Sequence, residues 1–137
     1  VFAELGRHLD RHARVFARAL DWSLGDRALR LDSLWINILR PGGQHGSHIH
    51  PLSVVSGAYY VSVPSGAGAL KLEDPRLPLM MAAPPRRPRA ARRDATHVTI
   101  APRPGTVVLW ESWLRHEVPV NAARRNRISI SFNFAWR

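Results

Sequence analysis

Three histidines stand close together in GGQHGSHIHP (42–51): His45, His48 and His50. His48 and His50 are separated by one residue, so in an extended segment both side chains face the same way. Two imidazoles on one face can share a metal ion, and imidazole suits iron, zinc, copper and nickel. Gly42, Gly43 and Gly46 let the backbone bend beside such a site. The pair needs a third ligand. A mononuclear iron site commonly takes a carboxylate there, yet no acid lies between Asp32 and Glu73. The third ligand must therefore come from far along the chain. His116, in ESWLRHEVPV, is the leading choice, at the entrance of an extended segment; Glu111 and Asp74 are the alternatives. Its neighbour Glu117 points to the opposite face of a strand. His45 reads as a loop residue beside the site. His8 and His12, four apart on a helix, read as a solvated face, and His97 as structural.

The last apolar segment, RISISFNF (127–134), adds a feature a metal alone does not require. Ile128, Ile130, Phe132 and Phe134 share one face; Arg127, Ser129, Ser131 and Asn133 share the other. A half-polar strand ordinarily faces solvent with its polar side. Arg127, however, follows His116 by eleven residues, and an arginine beside a metal can grip a dicarboxylate through a bidentate pair.

These residues must be positioned by a scaffold. Phe2, Leu5, Leu9, Phe16 and Leu20 recur at helical spacing, which predicts an amphipathic helix over 2–22, ending before Gly25. Strands are expected at 33–40, 56–63, 69–73, 96–102, 106–112, 116–120 and 127–134, with turns at 41–43, 64–68 and 103–105. Residues 77–95 are rich in proline and arginine without a stable period and read as a long irregular loop. DPR (74–76) reads as a tight turn with a charge pair, and Trp35, Trp110, Trp113 and Trp136 as core or rim aromatics. One helix followed by about seven short strands predicts a mainly β chain. The expected fold is an antiparallel sandwich or barrel with the helix packed outside, as a single domain over 1–137.

Composition narrows the functions. With 137 residues, 45% of them hydrophobic, the chain can bury a core. It has no cysteine, which removes thiolate chemistry, disulfides and sulfur-ligated zinc, and fits a cytoplasmic location. No apolar run approaches the roughly 18 residues that span a bilayer. The chain opens on Val1 without an apolar leader and reads as a trimmed or incomplete gene product. The net charge is +10, almost all of it arginine, since Lys71 is the only lysine. That balance suits an anionic partner such as nucleic acid, with RRPRAARR (86–93) as the segment to carry it. No aromatic residues interleave with those arginines, so a solvated loop, a lid over the site, is the expected role.

The combination of the histidine pair, a later histidine after PGTVVLWES, and an arginine opening the final strand resembles the iron- and 2-oxoglutarate-dependent dioxygenases. More narrowly, HIHPLSVVSGAYYV, LKLEDPR and RISISFNF resemble a 2-oxoglutarate/Fe(II) oxygenase family of bacteria and phages, over residues 33–134. The resemblance implies a double-stranded β-helix, a jelly-roll or cupin-like barrel with Fe(II) in its mouth and 2-oxoglutarate as cosubstrate. His48 then matches the first iron ligand and His116 the distal one. Arg127 matches the base that pairs with the far carboxylate of 2-oxoglutarate. Tyr60 matches a strand tyrosine contacting the same cosubstrate. Ser131, on the Arg127 face, and Asn37, inward by alternation, join it. The usual HxD acid is here His50, which cancels no charge of the ion. Three histidines also resemble cupin-type sites that work without 2-oxoglutarate. The substrate, a small molecule or a peptide, is set by loops such as 77–95.

Overall fold

The structure, a computed structural model, describes residues 2–137. The amphipathic segment forms helix α1 (Phe2–Ala19). It stops short of Trp22 because Asp21 turns left-handed at φ 52°, and the chain then folds back so that Trp22 meets Phe16 edge-on. Leu9, Ala13 and Ala17 are buried, with Leu5 and Phe16 packed beside them, whereas Phe2 and Leu20 at the helix ends are exposed.

Eight strands follow: β1 (Leu29–Leu39), β2 (His45–His48), β3 (Val55–Ser62), β4 (Leu70–Glu73), β5 (His97–Ile100), β6 (Val107–Glu111), β7 (His116–Val118) and β8 (Arg127–Trp136). They make two four-stranded antiparallel sheets, ordered β1-β8-β3-β6 and β2-β7-β4-β5. This is the double-stranded β-helix the sequence led us to expect. β2 is an addition to the expected strands. The segment 77–95 departs from an irregular loop in two places: a short helix α2 (Leu77–Met81) with proline in its first turn, and a single 3-10 turn over Arg92–Asp94.

The larger sheet has two differently used faces. On its outer side Phe132, Phe134, Val55 and Leu29 form one core with the buried stripe of α1. Burying a side chain such as Phe132 or Leu9 contributes roughly 1.5–3 kcal/mol each. Gly57 is essential to this layer: a Cβ there would stand 2.3 Å from the Phe132 ring and 2.8 Å from Leu109. On the inner side Ala58, Tyr60 and Trp110 meet Leu70 and, behind them, Leu72 and Ile100 of the second sheet. The alternation of β8 therefore has a different meaning from a solvated face: its polar side points between the sheets, where Arg127 and Ser129 are buried.

Candidate metal centre

His48 and His116 are brought together by strand pairing, as direct cross-strand partners of β2 and β7. Their ring centroids are 4.4 Å apart. His50 lies just beyond β2, where the chain leaves the sheet. Its N–H is held by the Ser112 carbonyl at 3.1 Å, and the turn closes with Ser53 N–H on the His50 carbonyl at 3.4 Å. The His50 ring stacks on that of His116, and their Nε2 atoms are 3.2 Å apart. One ring nitrogen from each histidine falls within 4.8 Å of the others. Two imidazoles sharing an ion through bonds of about 2.0–2.1 Å have nitrogens about 3 Å apart.

The ring orientations suit ligation. His48 Nδ1–H donates to the Gly46 carbonyl at 2.7 Å, and His116 Nδ1–H to the Leu114 carbonyl at 2.9 Å. With Nδ1 carrying the proton, each Nε2 lone pair faces inward. Burial pushes the His116 pKa down to about 4, the neighbouring His48 and His50 adding to the effect against its backbone hydrogen bond. His50 is lowered by burial and by His48. Both rings are thus neutral donors at pH 7.

No carboxylate joins the cluster. Asp74 is turned to Arg76 at 2.7 Å, closing the expected charged turn, and Glu117 to Lys71 at 2.8 Å. Glu111 lies on a separate cleft with Trp22, Trp113 and Trp136. The acids weighed for the third position thus lie apart from the histidine cluster.

The three histidines open into a cavity of about 140 Å³ between the sheets. The four residues that the resemblance set against the cosubstrate all line it: Arg127, Tyr60, Ser131 and Asn37. Arg127 is only 2% exposed. Its guanidinium carbon sits 5.1 Å from the Tyr60 ring centroid, and Nη1–H donates to Ser129 Oγ at 3.3 Å. Its Nε–H, the Tyr60 hydroxyl and Trp110 Nε1–H are buried with no hydrogen-bond partner. Asn37 Nδ2–H donates to Ser131 Oγ at 2.7 Å. Burial works against the Arg127 charge and raises Tyr60, whose shift the nearby Arg127 opposes. Among the described residues, no acidic one lines the cavity.

Three wall residues were not legible as such. His45 is a β2 residue paired with Val118, not a loop bystander, and it lines the cavity; burial first and Arg127 next hold its pKa down. The sequence reads it as a loop residue beside the site, because β2 is not among the expected strands. Trp110 packs edge-on to His116 at 4.8 Å, and Ser129 holds Arg127. The alternation of 127–134, which puts Ser129 on the Arg127 face, carries the signal for Ser129; the run Val107–Trp110 does not alternate and gives none for Trp110.

These residues fit an iron and 2-oxoglutarate pair. Three imidazole nitrogens converge at one end, and a buried cation beside the Tyr60 hydroxyl, with no acidic partner among the described residues, stands at the other.

Solved structures with the same architecture cover most of the chain at low identity. An oxidoreductase of the 2OG-Fe(II) oxygenase family from Burkholderia pseudomallei matches with TM-score 0.65 and 17% identity, over 89% of this chain and 50% of that one. A Pseudomonas putida prolyl-4-hydroxylase matches with TM-score 0.61 and 19% identity, over 94% and 63%. The non-haem alpha-ketoglutarate-dependent epimerase SnoN of nogalamycin biosynthesis matches with TM-score 0.61 and 19% identity, over 97% and 58%. The chain thus spans about half to just under two thirds of the length of these structures. No curated protein sequence matches it. The profile of the family described as "Putative 2OG-Fe(II) oxygenase" matches residues 33–133, and by that match, on this fold and around this cavity, the chain belongs to the 2OG-Fe(II) oxygenases.

Proposed function

We propose that the chain is a non-haem Fe(II)- and 2-oxoglutarate-dependent dioxygenase, with His48, His50 and His116 holding the metal and Arg127 holding the far carboxylate of 2-oxoglutarate. One observation carries the reading: a buried arginine without an acidic partner among the described residues shares a small cavity with three converging histidines. Three neutral ligands leave both charges of Fe(II) in place, and Arg127 adds a third. A cavity with no acid of its own calls for a dianion, and 2-oxoglutarate is one.

When bound, the iron supplies dioxygen activation: 2-oxoglutarate, O2 and substrate become succinate, CO2 and oxidised substrate. The chain's own residues place and shield. Arg127 offers a fork of N–H donors to the distal carboxylate, and the Tyr60 hydroxyl, without a partner, is free to add another. Ser129 holds the guanidinium in line, and the Asn37–Ser131 pair forms the side wall. Gly46 and Leu114 carbonyls keep the protons of His48 and His116 on Nδ1. Trp110 closes the wall behind His116 against water. The substrate, a small molecule or a peptide, enters past Trp35, which is about one-third exposed and lies 6.0 Å from the His50 ring.

Succinate release with Fe(II), ascorbate, O2 and 2-oxoglutarate tests the reading. Release that needs both Fe(II) and His48 supports it; its absence from iron-loaded protein defeats it. The all-histidine donor set favours one second reading, a cupin-type metalloenzyme that does not use 2-oxoglutarate. In that case Arg127→Met leaves metal-dependent activity intact. Among the described residues, no helix is long and apolar enough to cross a membrane.

A further inference from the structure

His50 differs from its two companions in what holds its second nitrogen. His48 and His116 each give Nδ1–H to a backbone carbonyl. The Nδ1 of His50 instead faces the amide of Asn133, whose Nδ2 is 3.5 Å away. Asn133 is almost fully buried on the inner face of β8, paired across the sheet with Ser33 of β1 and Ser56 of β3. Its amide touches both: Nδ2–H donates to Ser33 Oγ at 3.1 Å, and Ser56 Oγ–H donates to Asn133 Oδ1 at 2.8 Å. Ser56 in turn meets Ser112 Oγ at 2.8 Å, and the Ser112 carbonyl holds the His50 backbone N–H. Ser56 and Ser112 are buried. The polar chain thus starts and ends on His50.

With the amide NH2 toward it, His50 Nδ1 is an acceptor and the ring proton sits on Nε2, the nitrogen that must be bare to bind a metal. A half-turn of the amide about its last torsion exchanges Oδ1 and Nδ2 in place. Oδ1 then accepts from His50 Nδ1–H and from the Ser33 hydroxyl, while Nδ2–H donates to Ser56 Oγ, which donates onward to Ser112. Hydroxyls rotate freely, so every member stays satisfied. In the first arrangement His50 Nε2–H faces the bare Nε2 of His116 at 3.2 Å; in the second both nitrogens present lone pairs to one another, which is the arrangement a metal ion between them requires.

We propose that Asn133 is a positioning residue: its amide oxygen fixes His50 as the Nδ1–H tautomer, and so makes an imidazole serviceable where the wider superfamily has a carboxylate. The inference rests on His50 being a metal ligand. Histidine ligands depend on such partners, whose loss weakens metal binding by about 10- to 100-fold.

The test uses Zn(II), which is redox-silent, titrated by calorimetry against a competing chelator. Asn133→Leu, close in shape but with no acceptor, loses about 10- to 100-fold in Zn(II) affinity, whereas Asn133→Asp, which keeps an acceptor, binds within about threefold of wild type. In a His50→Ala background Asn133→Leu has no further effect on affinity. Equal losses in the Leu and Asp variants, or a loss that persists without His50, overturn the proposal, since a merely structural role predicts both. Should the Leu variant not fold, the imidazole 15N–1H spectrum of Zn(II)-loaded wild-type protein decides. A protonated Nδ1 on His50 supports the assignment, and a protonated Nε2 overturns it. If wild-type protein binds no Zn(II), the proposed function falls as well; if it binds and Asn133→Leu binds equally, only this inference falls.

Discussion

Arg127→Met separates what Arg127 does for binding from what it does to the fold. The side chain is 2% exposed, faces no acid, and has one long bond of 3.3 Å to Ser129. Burying an unpaired charge costs several kcal/mol even after relaxation. Against that stand about 1.5 kcal/mol for the charge-assisted hydrogen bond and about 2 kcal/mol for the contact with the Tyr60 ring. The metal-free protein therefore gains about 1–2 kcal/mol when methionine replaces the cation and fills its volume. Binding moves the other way. Losing one partner of a desolvated, hydrogen-bonded charge pair costs about 2–5 kcal/mol, or about 30-fold to about 5,000-fold in affinity for 2-oxoglutarate. Urea unfolding of the metal-free protein reads the first effect, and calorimetric titration of 2-oxoglutarate into Zn(II)-loaded protein reads the second. A variant less stable than wild type, or one that binds 2-oxoglutarate equally well, is inconsistent with a buried, unpaired Arg127 that holds the cosubstrate.

Acid should weaken the metal-free fold through His116. Its folded pKa of about 4 lies below the ordinary 6.5, so between those values the unfolded chain binds the extra proton, and stability falls as pH drops through that window. The loss is about 3 kcal/mol in the limit; it shows as a pH-dependent stability difference between wild type and His116→Gln, and a constant difference speaks against it. Gly57→Ala places a methyl against Phe132 and Leu109 beneath α1, so it should lower unfolding free energy by about 1–3 kcal/mol, with an unchanged urea midpoint as the contrary result. Replacing the arginines of 86–93 with glutamine should leave Zn(II) affinity unchanged, since none of them lines the cavity. If that variant instead abolishes salt-sensitive nucleic-acid binding by the wild type, the basic segment has a role of its own.

The readable parts of the sequence were those with strong local periods. The two-residue alternation of 127–134 already put Arg127, Ser129, Ser131 and Asn133 on one side, and the structure turns that side inward. The lack of acids from 33 to 72 likewise pointed to a distant third ligand, and strand pairing places His116 opposite His48. What escaped depends on pairing between distant segments. HGSH has little strand propensity and is extended because β7 pairs with it. His45 was misplaced for the same reason. The helix end was overextended because Trp22 and Leu24 continue an apolar pattern, although they reach the core only after the left-handed turn at Asp21. The network from Ser112 to Asn133 joins the turn after β6, β3 and β8, segments far apart in sequence, and no spacing announces it.

In the proposed function one cavity holds a metal at its histidine end and a dicarboxylate at its arginine end. The direct measurement is anaerobic calorimetry of 2-oxoglutarate binding with and without one equivalent of Fe(II). The expected result is one-to-one binding that needs the metal and is lost in both His48→Ala and Arg127→Met. Binding that is indifferent to the metal, or that survives both substitutions, contradicts it.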